Sequence, residues 1–357
     1  MLRTKLTEML QIQNPIIQAG MAGGITTPEL VAAVSNAGGL GTLGAGYMSA
    51  EQIRLAVTQI RNLTDQPFGV NLFIPEHYQV DRDEIDLANR ALDTFRQQLH
   101  IPLSPDVTKM AEPFNEQLAA ILDLDVPVFS FTFGMPDAAI IAKLKQQDIC
   151  IIGTATTVQE AILLEQAGVD AVVAQSSEAG GHRGTFAHDA ASALIGALAF
   201  IPQVADAVSI PVIAAGGVMD GRGLAACLLL GADAVQMGTA FLTCPESGAH
   251  PVYKNALAHA TEEMTTITKV YSGKAARGLQ TTFIRQWSGD ESLLPYPIQN
   301  ALTRDIRQAA AKQNNAEFMS MWAGQGLRLL HAQSAAALVE DVLRTAESLL
   351  KKNVATE

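Results

Sequence analysis

Eight short, almost wholly apolar runs recur along the first 242 residues: IIQAGM (16–21), GLGTLGAG (39–46), FGVNLF (68–73), VPVFSFTFG (126–134), ICIIGTAT (149–156), VDAVVAQS (169–176), PVIAAGG (211–217) and ADAVQMGTAFL (232–242). A strand that is apolar on both faces must be covered on both faces, which is the habit of parallel strands under helices. The intervening stretches read as those helices. TPELVAAVSNAGG has Thr27 as its cap, Pro28 in its first turn and glycine at its end, and SAEQIRLAVTQIRNL opens with Ser49 and Gln52 spaced as a capping box. Eight such units, exiting mostly into glycine or a small polar residue, predict a closed (β/α)8 TIM barrel over an open doubly wound sheet.

Two segments interrupt the cadence. Residues 76–115 are charge-rich (EHYQVDRDEIDLANRALDTFRQQLH) and read as a solvated insertion with its own helix, a lid being the rival reading. After residue 243 the βα rhythm stops. Residues 244–326 are expected to form a small, mainly helical second domain over the barrel mouth, and 327–352 a long amphipathic helix returning to the barrel of residues 1–243.

Composition excludes several classes. At 48% hydrophobic and 17% charged residues over 357 positions, the chain buries a large core and is not disordered. A net charge of −12, with no basic stripe, argues against nucleic acid. No apolar stretch is long enough for a membrane span and no secretory signal is visible, so a cytoplasmic protein is expected. Cys150, Cys227 and Cys244 stand far apart and read as buried apolar residues, not as a metal set or a nucleophile.

The chemistry concentrates in the loops after the later strands. In such barrels the loops after strands seven and eight commonly bind phosphate through backbone amides. Here they contain Gly216 and Gly217, then Gly238 and Thr239. No GxxxxGK[ST] is present, and no GxGxxG lies between a strand and a helix. The sixth strand runs into QSSEAGGHRGTFAHD, where His182 follows two glycines at the end of the barrel that does chemistry. Arg183 reads either as a source of positive charge or as a surface residue, and His188 as a bystander. Asn71 and Gln175 are amides on apolar strands, satisfied either by a flat heterocycle or by backbone. Tyr296, Asn300 and Arg304 share one face if their segment is helical, with Tyr296 a candidate substrate contact.

Together these residues resemble the class I nitronate monooxygenases. The similarity runs through IIQAGMAGG, GGLGTLGAGYMSAEQIR, PFGVNLF, VPVFSFTFG, SSEAGGHRGTF, IPVIAAGGVMDGRG, AVQMGTAF, YSGKAARG, YPIQNALT and FMSMWAGQG, with Gly20 where proline is expected in many relatives. The resemblance implies an FMN-containing TIM barrel with a small covering domain. It places the FMN phosphate on Gly217 and the Gln236–Thr239 loop, with Gly216, Met237 and Gly238 in the same two loops. It sets Asn71, Gln175, Gly180 and Gly181 around the ring and ribityl chain, and Met21 and Ala22 along the ring. His182 falls on the family's active-site histidine. The implied reaction takes an alkyl nitronate and O2 to a carbonyl compound and nitrite through a flavin semiquinone. The small-molecule partners are thus nitronate and O2, and a homo-oligomer is left open.

Two rivals remain. Flavin-dependent enoyl-ACP reductases resemble this family and share a glycine-glycine-histidine loop, but the HRG, YPIQNALT and WAGQG segments favour the monooxygenase. A non-catalytic flavin or phospholigand carrier would need the phosphate loops yet has no use for a histidine at the mouth.

Overall fold

The computed structural model describes residues 2–76, 78–287 and 293–354. In chain order the first nine strands are β1 (Ile16–Gln18), β2 (Gly41–Gly44), β3 (Phe68–Phe73), β4 (Val128–Thr132), β5 (Cys150–Ala155), β6 (Ala171–Gln175), β7 (Gly181–His182), β8 (Val212–Ala215) and β9 (Ala234–Met237). Eight of them, all but β7, form one parallel sheet in the order β1-β9-β8-β6-β5-β4-β3-β2. The ends meet through a parallel bridge between Ile17 and Leu40, with Gln18 N donating to Leu40 O and Leu40 N to Ile16 O, each at 2.9 Å. The molecule is therefore a (β/α)8 TIM barrel, with each apolar run of the sequence supplying one strand.

Local chemistry accounts for the helices between them. Thr27 Oγ1 accepts from Leu30 N (3.1 Å) ahead of Pro28–Asn36, and Ser49 with Gln52 closes a reciprocal capping box on Ala50–Leu63. Inside the barrel, Ile17, Leu40, Val128, Ile152, Val173 and Ile213 form one cluster with Leu6, Leu10 and Ile12. The N-terminal helix Lys5–Leu10 thus plugs the end opposite the strand C-termini. The helix Ala335–Val354 lays Leu338, Val339, Val342 and Ala346 against the helices Pro28–Asn36 and Gly221–Leu229. Contact there is so close that a Cβ on Gly221 would lie 2.4 Å from Val342 O.

The segment after residue 243 departs from the expectation of helices and loops. It contains two further strands, β10 (Thr265–Thr268) and β11 (Ala276–Leu279), paired antiparallel. β11 pairs in turn with β7, setting Ala276 opposite His182 and Arg277 opposite Gly181. These strands are four residues long and interrupted by turns, too short for periodicity to mark them.

Residues 76–115 also differ from a solvated insertion. Ala88, Leu92, Phe95 and Leu99 are buried in a second core with Tyr253, Tyr271, Phe283, Trp287, Leu302, Ile306 and Phe318. The fully buried Arg96 ties the two stretches together. It donates to Asp305 (2.8 Å), Asp93 (2.9 Å), Asn89 O (2.6 Å) and Leu302 O (3.1 Å). Residues 77 and 288–292 of these stretches lie outside the described residues.

Candidate active site

A cleft of about 1280 Å³, counting its open mouth, lies at the C-terminal ends of the barrel strands. Strand alternation decides which side chains reach it. On β3, Val70 and Leu72 turn to the covering helices while Asn71 and Phe73 face the cleft. On β9, Gln236 faces the cleft, and Met237 turns outward into the core with Ile16, Leu30 and Val34. Of the residues singled out from sequence, Met21, Ala22, Asn71, Gln175, Gly180, Gly181, His182, Gly216, Gly217, Gln236, Gly238 and Thr239 line the cleft. Met237 does not, because it occupies the opposite phase of its strand.

Tyr296 is not on the lining either. The helix begins only at Ile298, so Tyr296, Asn300 and Arg304 do not share one helical face. Tyr296 is buried behind the wall, its ring 5.3 Å from that of Phe133 and 6.3 Å from His182. Asn300 is buried and accepts from Arg307, and Arg304 is exposed.

One end of the cleft is built of backbone. The amides of Gly180, Gly217, Gly238 and Thr239 make no hydrogen bond to the protein among the described residues, and all four residues line the cleft. The glycines are there for different reasons. Gly216 has φ +113°, and a Cβ on it would lie 2.2 Å from Ser176 Oγ, so it permits the crossing of two loops. A Cβ on Gly238 would meet nothing closer than 3.6 Å and would project into the cleft. Unbonded N–H groups around space that a side chain would fill make a cradle for a phosphate. The WAGQG segment closes over it. Gly324 N donates to Thr239 Oγ1 (2.9 Å), and Gln325 N to Glu178 O (3.0 Å).

At the other end stands His182. Its ring is flanked by Phe133 and Trp322, each 5.4 Å away, and by Phe73 at 6.4 Å. Burial, aided by the Lys274 and Arg307 charges, pulls its pKa down to about 3, so the imidazole is neutral at ordinary pH. Its Nε2 lies 2.8 Å from Ser272 Oγ. That hydroxyl also lies 3.1 Å from Lys274 O and accepts from Lys274 N (3.3 Å), so it holds the ring in place, while Nδ1 has no hydrogen bond to the protein among the described residues. Positive charge near the ring comes instead from Lys274, ion-paired with Glu76, and from Arg307.

The remaining polar residues hold the His182 turn. The Gln175 side chain is taken by backbone, donating to His182 O (3.0 Å) and accepting from Gly184 N (2.9 Å). Asn71 Nδ2 donates to Ser130 Oγ (2.9 Å). Arg183 is neither surface residue nor cleft lining. It is fully buried and donates to three carbonyls, and burial pulls its pKa down to about 10. His188 is exposed. Cys227 and Cys244 are buried and Cys150 half-buried, their thiols pushed up to about 11, 12 and 12. No group of metal-ligating residues occurs among the described residues, and no helix there is long and apolar enough to cross a membrane.

Sequence reasoning missed Tyr47, Phe73, Tyr253 and Trp322, which line the cleft, and Ser272, which orients His182. The aromatic residues are indistinguishable from core residues in a linear sequence. Ser272 lies 90 residues from its partner.

Fold and cleft define a TIM-barrel enzyme whose working parts sit at the C-terminal strand ends. The family model for nitronate monooxygenase matches residues 3–345. A probable nitronate monooxygenase of Staphylococcus saprophyticus is 47% identical over 98% of this chain and 99% of its own. Among solved structures, a nitroalkane oxidase from Streptomyces ansochromogenes superposes with a TM-score of 0.90 at 40% identity, covering 97% of this chain and 99% of that one. FabK from Thermotoga maritima gives 0.79 at 32% identity, covering both chains fully. The chain belongs to the nitronate monooxygenase family and is an oxidoreductase.

Proposed function

We propose that the protein oxidises alkyl nitronates with O2 to a carbonyl compound and nitrite, using FMN held non-covalently in the cleft. The observation that supports this most is one cleft joining a cradle of unbonded amides to a neutral, oriented histidine. Gly180, Gly217, Gly238 and Thr239 would hold the phosphate, and Met21, Ala22, Asn71, Gly181 and Gln236 the rest of the cofactor. When bound, FMN supplies the electron-accepting chemistry.

The side chains divide the remaining tasks. Phe73, Tyr47 and Trp322 make an apolar wall that excludes water from the reacting carbon. Neutral His182 does not attract the nitronate by charge; Lys274 and Arg307 provide the positive field. The free Nδ1 of His182 takes the α-proton when the substrate arrives as a neutral nitroalkane, and Ser272 holds the ring in place.

Two measurements test the reading. Purified protein should be yellow and release FMN on acid precipitation, and it should consume O2 with a preformed nitronate. Protein that takes up no FMN, or that oxidises NADH readily while ignoring nitronates, would overturn it; the second result would point to the enoyl reductase chemistry.

A further inference from the structure

We propose that Arg183 is a positioning residue for the phosphate end of FMN, its buried guanidinium offsetting Glu178 so that a dianion can enter the cradle. The inference rests on the FMN reading above. Arg183 donates to Ser176 O (2.5 Å), Gln175 O (2.9 Å) and Ala193 O (3.1 Å), and its Nε, also buried, has no partner. Its hydrogen bonds all go to carbonyls and it makes no ion pair with a carboxylate within 4 Å among the described residues, Glu160 and Glu178 acting on it from farther away. Its place relative to the cradle follows from short links. Ser176 Oγ donates to Ala215 O (3.0 Å), and Gly216 packs directly on that hydroxyl.

The neighbouring charges make the requirement plain. Glu178 lies beside Gly217, where a Cβ would touch its side chain at 3.4 Å, and its carboxylate accepts from Ala197 N (3.0 Å). Left alone, that carboxylate would repel a phosphate. Glu160, the other acid felt by Arg183, is occupied by Thr156 N and Oγ1, Phe186 N and Ala187 N at 2.7–2.9 Å. Arg277 adds a second guanidinium, donating to Ser177 O (3.1 Å). Arg183 and Arg277 thus bind the carbonyls of residues 175, 176 and 177 in succession. The negative ends of that loop face guanidinium groups, and positive charge stands beside Glu178.

FMN and riboflavin differ only by the phosphate, so the ratio of their dissociation constants isolates this effect from general damage to the fold. The test titrates both flavins into full-length protein stripped of flavin. For charges several ångströms apart at an effective dielectric near 20, the ratio should shift about tenfold toward riboflavin in Arg183→Met. It should hold in Arg183→Lys and move the opposite way in Glu178→Gln, which keeps the oxygen facing Ala197 N. Should Arg183→Met fail to fold, the Glu178→Gln shift decides. Equal weakening of both flavins in Arg183→Met, or an unchanged ratio in Glu178→Gln, overturns the inference. Wild-type protein that binds neither flavin overturns the FMN reading and this inference with it; a wild-type preference for FMN that ignores both substitutions overturns the inference alone.

Discussion

At the scale of single residues, His182 has two measurable consequences. Its pKa is about 3 when folded and near 6.5 when unfolded. Between those values the unfolded chain binds a proton that the folded chain refuses, so stability is fully present above about pH 6.5 and falls as pH drops toward 3. From pH 7 to 5 this one group should remove up to about 2 kcal/mol, and His182→Asn should flatten that part of the profile. Thermal unfolding at the two pH values, with flavin content matched, reads the difference; parallel curves would show that the imidazole titrates normally. The same variant separates two chemical roles. Loss of a base costs ~10²–10⁴-fold on a neutral nitroalkane. A preformed nitronate has no α-proton to remove, so its turnover should change far less. The ratio of kcat/KM values for the two substrates should therefore fall, and equal losses would reject the base assignment.

At the scale of elements, the two glycine loops predict opposite outcomes for similar substitutions. Gly216→Ala forces a side chain into Ser176 Oγ at a left-handed backbone position. It should cost stability, about 1–3 kcal/mol in denaturant unfolding, whatever the flavin does. Gly238→Val puts its Cβ no closer than 3.6 Å to Ala19 and 3.7 Å to Met21, at φ −111°. The fold should survive, and the protein should lose FMN on gel filtration. If Gly238→Val retains its flavin in full, the phosphate lies elsewhere in the cleft. The pairing of β7 with β11 explains why the histidine loop is ordered at all. A turn with two glycines has little stiffness of its own, and the antiparallel bonds from Ala276 and Arg277 supply it.

At the scale of the whole molecule, Arg96 is the point where the 76–115 segment and the region after residue 243 become one core. Removing a buried guanidinium from two carboxylates typically costs about 3–5 kcal/mol. Arg96→Met should lower the urea midpoint, and the second core should open before the barrel does. Trp287 and Trp322, the two tryptophans, both belong to that region, so their fluorescence should change ahead of the far-ultraviolet circular dichroism signal. Coincident transitions would mean that barrel and second core unfold as one unit.

The sequence by itself determined the barrel, because burial on both faces leaves a strand no choice but continuous apolar residues, and helix caps are local chemistry within four residues. It also brought out the glycine loops and His182, since they follow the strand ends whose loops line the cleft. Tertiary structure alone decided which amides stay unbonded, which group holds the His182 ring and where Arg183 turns. It also decided that residues 88–99 are core and not surface. Each of those depends on partners distant in sequence, as Ser272 is from His182 and Asp305 from Arg96. Hydrogen bonds and desolvation at such separations leave no periodic trace in the chain, so only the folded arrangement reveals them.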